Sequence, residues 1–152
     1  MTAYATFDTQ ARTIDILLAQ YGEHHRNPAN ERIQRVCVPV ILFSLLGLLW
    51  SLHPLVALAA SAAALTYYVK LSRPFALGML ALIACMLVIL AIVPTFAILP
   101  LSIALFVVAW IGQFIGHKIE GRKAAFFDDL RFLLVGPLFV LSFLYRRLRV
   151  AY

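Results

Sequence analysis

The chain has 152 residues, of which 63% are hydrophobic and 13% charged, against roughly 45–50% and 25% in soluble domains. A water-soluble fold of this length has much surface for its volume and needs polar side chains to cover it, so an ordinary soluble domain is excluded and lipid is the expected solvent. The net charge of +6 comes with no aromatic-interleaved basic patch and no nucleic-acid motif, which points to membrane topology and away from a nucleic-acid partner.

Residues 7–21 place Phe7, Ala11, Ile14, Leu17, Leu18 and Tyr21 on one helical stripe, with Asp8, Gln10, Arg12 and Asp15 opposite. This predicts an amphipathic helix on the membrane surface or against the bundle. Met1 to Arg12 lacks an apolar signal-peptide core, so the first span is expected to direct insertion. Residues 22–35, GEHHRNPANERIQR, read as a loop leading into a helix start.

Val36 to Leu52 is an uncharged apolar run of 17 residues, at the short end of what crosses a hydrocarbon core of about 30 Å. His53-Pro54 breaks it and residues 55–69 return. Lys70 and Arg73 form a short basic turn, Pro74 takes a natural first-turn position, residues 75–93 make a third span, and residues 95–116 make the fourth after Pro94. Trp50 and Trp110 fit interfacial aromatic belts. Cys37 and Cys85 have no metal or redox spacing and are expected to be buried free thiols.

The final apolar stretch within 126–149 is interrupted by Gly136-Pro137 and ends in Arg146, Arg147 and Arg149. Its length suits an interfacial or re-entrant segment, with a fifth short span as the alternative. The reading is one all-α domain over 1–152: an integral membrane bundle of four transmembrane helices in two hairpins, an N-terminal amphipathic helix, and a C-terminal interfacial or re-entrant helical segment. With four spans the basic residues share one side, which the positive-inside rule assigns to the cytoplasm together with both termini.

Two polar segments then meet on that side. His24, His25, Asn27 and Asn30 precede the first span, while Gln113, His117 and Glu120 close the fourth. His117 and Glu120 are at i and i+3 on one helix face, and two His with a carboxylate is a ligand set of non-haem Fe(II) oxygenases. From spacing alone they are equally readable as solvated polar residues and a helix-end hydrogen bond. Gln113, a turn inside the apolar run, is expected to face the bundle interior. Ser44, Ser61, Thr66 and Ser102 can bond their own helix backbones, which disfavours a transport path. No GxSxG, Cys/His pair, P-loop or GxGxxG motif is present.

Tyr21, His25, NPAN at 27–30, Ile33 and Pro39, followed by Trp110, Gln113, Gly116-His117, Glu120 and GRKAAFFDDLRFLLVGPLFVL, resemble the 2-hydroxy fatty acid dioxygenase family of small membrane proteins over nearly the whole chain. The resemblance implies an Fe(II) dioxygenase, independent of 2-oxoglutarate, that uses O2 to shorten 2-hydroxy fatty acids by one carbon. It implies His25 and His117 as the family's histidines, with Tyr21, Asn30, Gln113 and Glu120 at its flanking polar positions; the expected catalytic residues are then His25, His117 and Glu120, the candidate metal ligands His24, His25, His117 and Glu120, and the surrounding polar residues Tyr21, Asn30, Gln34 and Gln113. Lys118, Arg122 and Lys123 could attract the substrate carboxylate or serve only topology. The chain departs from the family pattern at Gln34, usually histidine, and at Ala124, usually proline. Either His24 or Glu120 then completes the ligand set, or metal is held weakly. The membrane would be the inner one in a bacterium and the endoplasmic reticulum in a eukaryote. The competing class is a non-catalytic membrane scaffold or carrier with a degenerate metal site.

Overall fold

The computed structural model describes residues 12–152, which form six α-helices, one short 3-10 turn and no strand. The helices are α1 (Thr13–Glu23), α2 (Pro28–Leu52), α3 (Pro54–Leu71), α4 (Arg73–Ile92), α5 (Thr95–Glu120) and α6 (Phe132–Leu148), with the 3-10 turn at Ala125–Phe127. Four of them, α2 to α5, are long and apolar enough to cross a membrane. Their surfaces carry large exposed apolar side chains such as Leu77, Val88, Val108 and Phe96, the signature of a fold whose outer solvent is lipid.

Proline positions and turns set the helix limits. His53 ends α2 in extended backbone and caps α3, its imidazole accepting the Leu55 N–H at 3.1 Å, with Pro54 following in the first turn. Ser72, in extended backbone and without a side-chain cap, and Pro74 in the first turn open α4, and Gly121, at φ 73°, closes α5 in the left-handed conformation that favours glycine. Ser44, Ser61 and Thr66 donate to carbonyls three or four residues back in their own helices, as expected of serine and threonine in apolar helices.

The connections follow the two expected hairpins, but the dominant packing does not. Helix α5 lies along α2, and α2 also touches α3, α4 and α6, whereas α4 and α5 scarcely meet. Small residues permit this approach. A Cβ on Gly112 would lie 2.6 Å from Cys37 Sγ, one on Gly116 would collide with the Asn30 side chain, and one on Gly47 with Ser102.

Helix α1 buries Ile14, Leu17 and Tyr21 of its apolar stripe and packs on α6. Phe7 and Ala11 of that stripe lie outside the described residues. Helix α6 runs unbroken through Gly136-Pro137. Tyr68 Oη donates to the Leu134 carbonyl at 2.9 Å, Tyr145 Oη donates to the Pro74 carbonyl at 2.5 Å, and the Arg35 guanidinium lies 4.1 Å from the Phe143 ring centre. These partners all belong to the basic end of the bundle, around the Ser72 turn and the start of α2. A helix of about 25 Å whose first and last turns both contact that end lies across it.

Cys37 is half-buried against α5, but Cys85 is exposed on α4. The expectation of two buried thiols therefore fails for Cys85: an apolar position in a span is as readily lipid-facing as internal.

Gly116→Ala should force Asn30 away from α5 and destabilise the protein by about 1–3 kcal/mol, read as a lowered unfolding temperature in detergent. Alanine at Gly121, whose Cβ would meet nothing within 4 Å, should cost about 1 kcal/mol from its positive φ alone.

Candidate active site

The segment expected to be a loop before the first span is largely helix. Asn27 is the N-cap of α2, its side chain accepting the Ala29 N–H at 2.9 Å, and Pro28 occupies the first helical position. Residues 28–35 are thus the first two turns of α2. Asn30 and Gln34, four apart, fall on one face and meet the Gln113, His117, Glu120 stripe of α5.

Two amides join these stripes. Gln34 Nε2 donates to Gln113 Oε1 at 2.5 Å and Gln113 Nε2 donates back to Gln34 Oε1 at 3.1 Å, across 79 residues of sequence. Gln34 Nε2 also reaches Asn30 Oδ1 at 3.4 Å, and Tyr21 Oη donates to Gln34 Oε1 at 3.5 Å. Asn30 and Gln34 are fully buried and Gln113 nearly so. Reciprocal pairing makes that burial tolerable, because an unpaired amide in an apolar interior is costly.

Glu120 serves the same junction. Its Oε1 accepts the Arg26 N–H at 2.9 Å, and its Oε2 accepts the Asn27 N–H at 2.8 Å and Asn30 Nδ2 at 3.1 Å. A carboxylate from the last turn of α5 therefore sits at the N-terminus of α2, where free N–H groups and the helix dipole favour negative charge. His24 faces elsewhere: its Nδ1 meets the Lys123 carbonyl at 3.1 Å and its Nε2 lies 3.4 Å from the Asp128 carboxylate. Lys118, Arg122 and Lys123 are exposed around this end, with Arg122 donating to the Glu23 carbonyl.

His25 and His117 come together. His25 is 3% exposed, and its Nδ1 lies 2.9 Å from the Tyr21 carbonyl. A carbonyl only accepts, so the proton belongs on Nδ1 and the lone pair on Nε2. That Nε2 is buried without a partner, as is Nδ1 of His117. The rings meet edge to face with centres 5.3 Å apart, and Tyr21 stacks on His25 at 4.4 Å. Burial lowers the His25 pKa from 6.5 to about 4, outweighing the Tyr21 carbonyl bond and Glu120, which raise it, while His117 and His24 lower it further. The ring is neutral at neutral pH, the form that binds metal.

Two unpartnered imidazole nitrogens in one place are chemically suited to holding a cation. Among the described residues no three His, Cys, Asp or Glu side chains converge; the structure brings two imidazoles together and turns His24 and Glu120 to other partners. Gln34 lies in the amide network, bonded to Gln113, Asn30 and Tyr21.

An apolar cavity of about 130 Å³ adjoins His117. Tyr21, Gln113 and His117 line its polar part, Val38, Ile41, Leu42, Leu45 and Trp110 its long walls, and Ala124 to Phe126, Phe132, Gly136 and Pro137 its cover. Trp110 is thus a pocket wall, beyond the aromatic-belt role expected of it. Composition did not mark the 124–137 segment as a cover. The early start of α2 was legible in Asn27-Pro28 and in Glu31 of the first turn.

Replacing Gln34 or Gln113 alone by Leu should destabilise by about 1–3 kcal/mol by stranding the other amide. The double replacement should recover most of that loss, since both partners leave together; a double-mutant cycle of unfolding free energies checks this. In metal-free protein the depressed His25 pKa gives stability that is complete above pH 6.5 and is lost as pH falls toward about 4. The full loss is about 3 kcal/mol, and His25→Phe should flatten that part of the stability–pH curve.

Residues 11–148 match the family model described as "2-hydroxy-palmitic acid dioxygenase Mpo1-like". The chain is 33% identical over 138 residues to the 2-hydroxy-palmitic acid dioxygenase MPO1 of Saccharomyces cerevisiae, covering 85% of this chain and 78% of that relative. No solved structure matches. With its family pattern spread from α1 to α6 and its polar residues gathered where those helices meet, the chain belongs to the Mpo1-like family.

Proposed function

We propose that this protein is an Fe(II)-dependent dioxygenase that shortens 2-hydroxy fatty acids by one carbon at the cytoplasmic face of its membrane. The observation that carries the reading is the pair of buried, unpartnered nitrogens, His25 Nε2 and His117 Nδ1, with His117 on the wall of an apolar pocket. Family membership supports the dioxygenase class, and the relative's name supports a 2-hydroxy acid as substrate.

The overall reaction balances without a further reductant. A 2-hydroxy acid and O2 give an acid one carbon shorter, CO2 and water: the bond between carbons 1 and 2 breaks, the organic substrate gives up four electrons, and O2 accepts them. No 2-oxoglutarate is needed. Fe(II) held by His25 and His117 would supply the O2 activation that an organic acid alone lacks.

The protein's own groups have distinct tasks. The Tyr21 carbonyl holds the His25 proton on Nδ1, and the stacked Tyr21 ring fixes its plane, so Nε2 stays available. Glu120 ties the His25 loop to α5 and so sets the separation of the imidazoles. Gln113 and Tyr21 offer hydrogen bonds beside His117, where a carboxylate and a 2-hydroxyl would lie. Lys118, Arg122 and Lys123 raise the local concentration of anions. The apolar walls keep the acyl chain and the reacting centre away from bulk water.

Bound iron and O2 uptake with 2-hydroxypalmitic acid test the reading in anaerobically purified, Fe(II)-reconstituted protein. His25→Ala and His117→Ala should each lose iron and lower turnover by roughly 100-fold or more. Palmitic acid, lacking the hydroxyl, should support no uptake. Retained turnover in His117→Ala, or a native chain that neither binds iron nor consumes O2, would remove the assignment and favour a non-catalytic membrane protein.

A further inference from the structure

The pocket shares walls with the outer surface of the bundle. Leu45 of α2 lines it and is 42% exposed, and Leu133 of α6 lines it and is 52% exposed. Leu45 lies deep in the uncharged run of α2, where the surrounding medium is acyl chains. A side chain that faces both the cavity and the lipid marks the rim of an opening between them. Near it, Phe127 and Leu130 are exposed at 62% and 74%, apolar side chains at a basic end where the membrane interface would receive them.

The chemistry inside is ordered along one direction. Gln113 and His117 lie near the end of α5, toward the basic end of the bundle, while Ile41 and Leu45 lie farther along α2 toward the middle of its apolar run. Tyr21, Phe132 and Gly136 also line the cavity, whose volume of about 130 Å³ suits the head and first carbons of a single-chain acid and not a two-chain phospholipid. A single-chain acid sliding in sideways keeps its carboxylate at the interface and its tail in hydrocarbon throughout, so no methylene has to pass through water.

We infer that the pocket opens laterally between α2 and α6 to the bilayer and is loaded from the membrane by a single-chain 2-hydroxy acid, tail against Ile41 and Leu45 and head at Gln113 and His117. This rests on the proposed function for the identity of the head. The entrance itself rests on the exposed rim.

The two tryptophans make the entrance observable, because Trp110 lines this pocket and Trp50 lies at the opposite end of the bundle. The full chain carrying Trp50→Phe is placed in vesicles of plain or dibrominated phosphatidylcholine and its fluorescence recorded. Brominated chains should quench Trp110. Added 2-hydroxypalmitic acid should restore the signal saturably, while an equal amount of plain phosphatidylcholine should not. Leu45→Phe, which narrows the rim, should raise the acid concentration for half-restoration several-fold.

Equal fluorescence in the two vesicles would overturn the lateral opening. Quenching that the acid fails to relieve more than plain lipid would overturn the loading. Restoration by the acid in vesicles that show no O2 uptake would uphold the entrance while the oxidation reading fails, so the two failures are distinguishable.

Discussion

The contact between the first and fourth spans is the constraint on which the rest of the structure depends. Gly112 and Gly116 let α5 approach α2 so closely that the Asn30 and Cys37 side chains fill the space a Cβ would take. At that separation the Gln34 and Gln113 amides bond each other in both directions. Close backbone packing lets the amides meet, and the amides fix which residues of the two helices lie opposite, because hydrophobic burial alone does not favour one register in lipid. Every other feature of the site inherits this register.

The ends of the same two helices are joined electrostatically. Glu120 closes α5 and accepts the N–H groups of Arg26 and of Asn27, the N-cap of α2, so one carboxylate satisfies donors just before the helix that have no partner within it. That junction holds the residue-25 loop under α6, where Tyr21 and Phe139 pack on the His25 ring. The result is a neutral, buried imidazole whose free nitrogen has no protein partner, facing a second one. Such an arrangement is expensive for stability alone, which is why it is read as a ligand site.

Much of the fold was legible beforehand, for reasons that can be named. The four spans follow from uncharged apolar runs, and the turns between them from His53-Pro54, Lys70 to Pro74, and Pro94, whereas α2 begins earlier and α5 ends later than those runs. The convergence of residues 24–30 with 113–120 follows from an even number of crossings. Helix α2 begins before its apolar periodicity does, because its first two turns are polar and Asn27-Pro28 marks the start. Cys85 is exposed although its run is apolar, because hydropathy does not distinguish the inner face of a span from the lipid face.

Composition and the spacing of prolines and charges by themselves determined that this chain is a helical membrane protein with its polar chemistry at one end, since apolar length and charge placement are local properties of the sequence. The tertiary structure alone decided which polar residues act together. Spacing offered His24, His25, His117 and Glu120 as equals, but the α2–α5 register turns Glu120 to the N-terminus of α2 and His24 to the Lys123 carbonyl, leaves His25 and His117 facing each other, and places Gln34 in an amide pair. Those outcomes depend on side-chain distances between segments some 80–90 residues apart, which no local pattern carries.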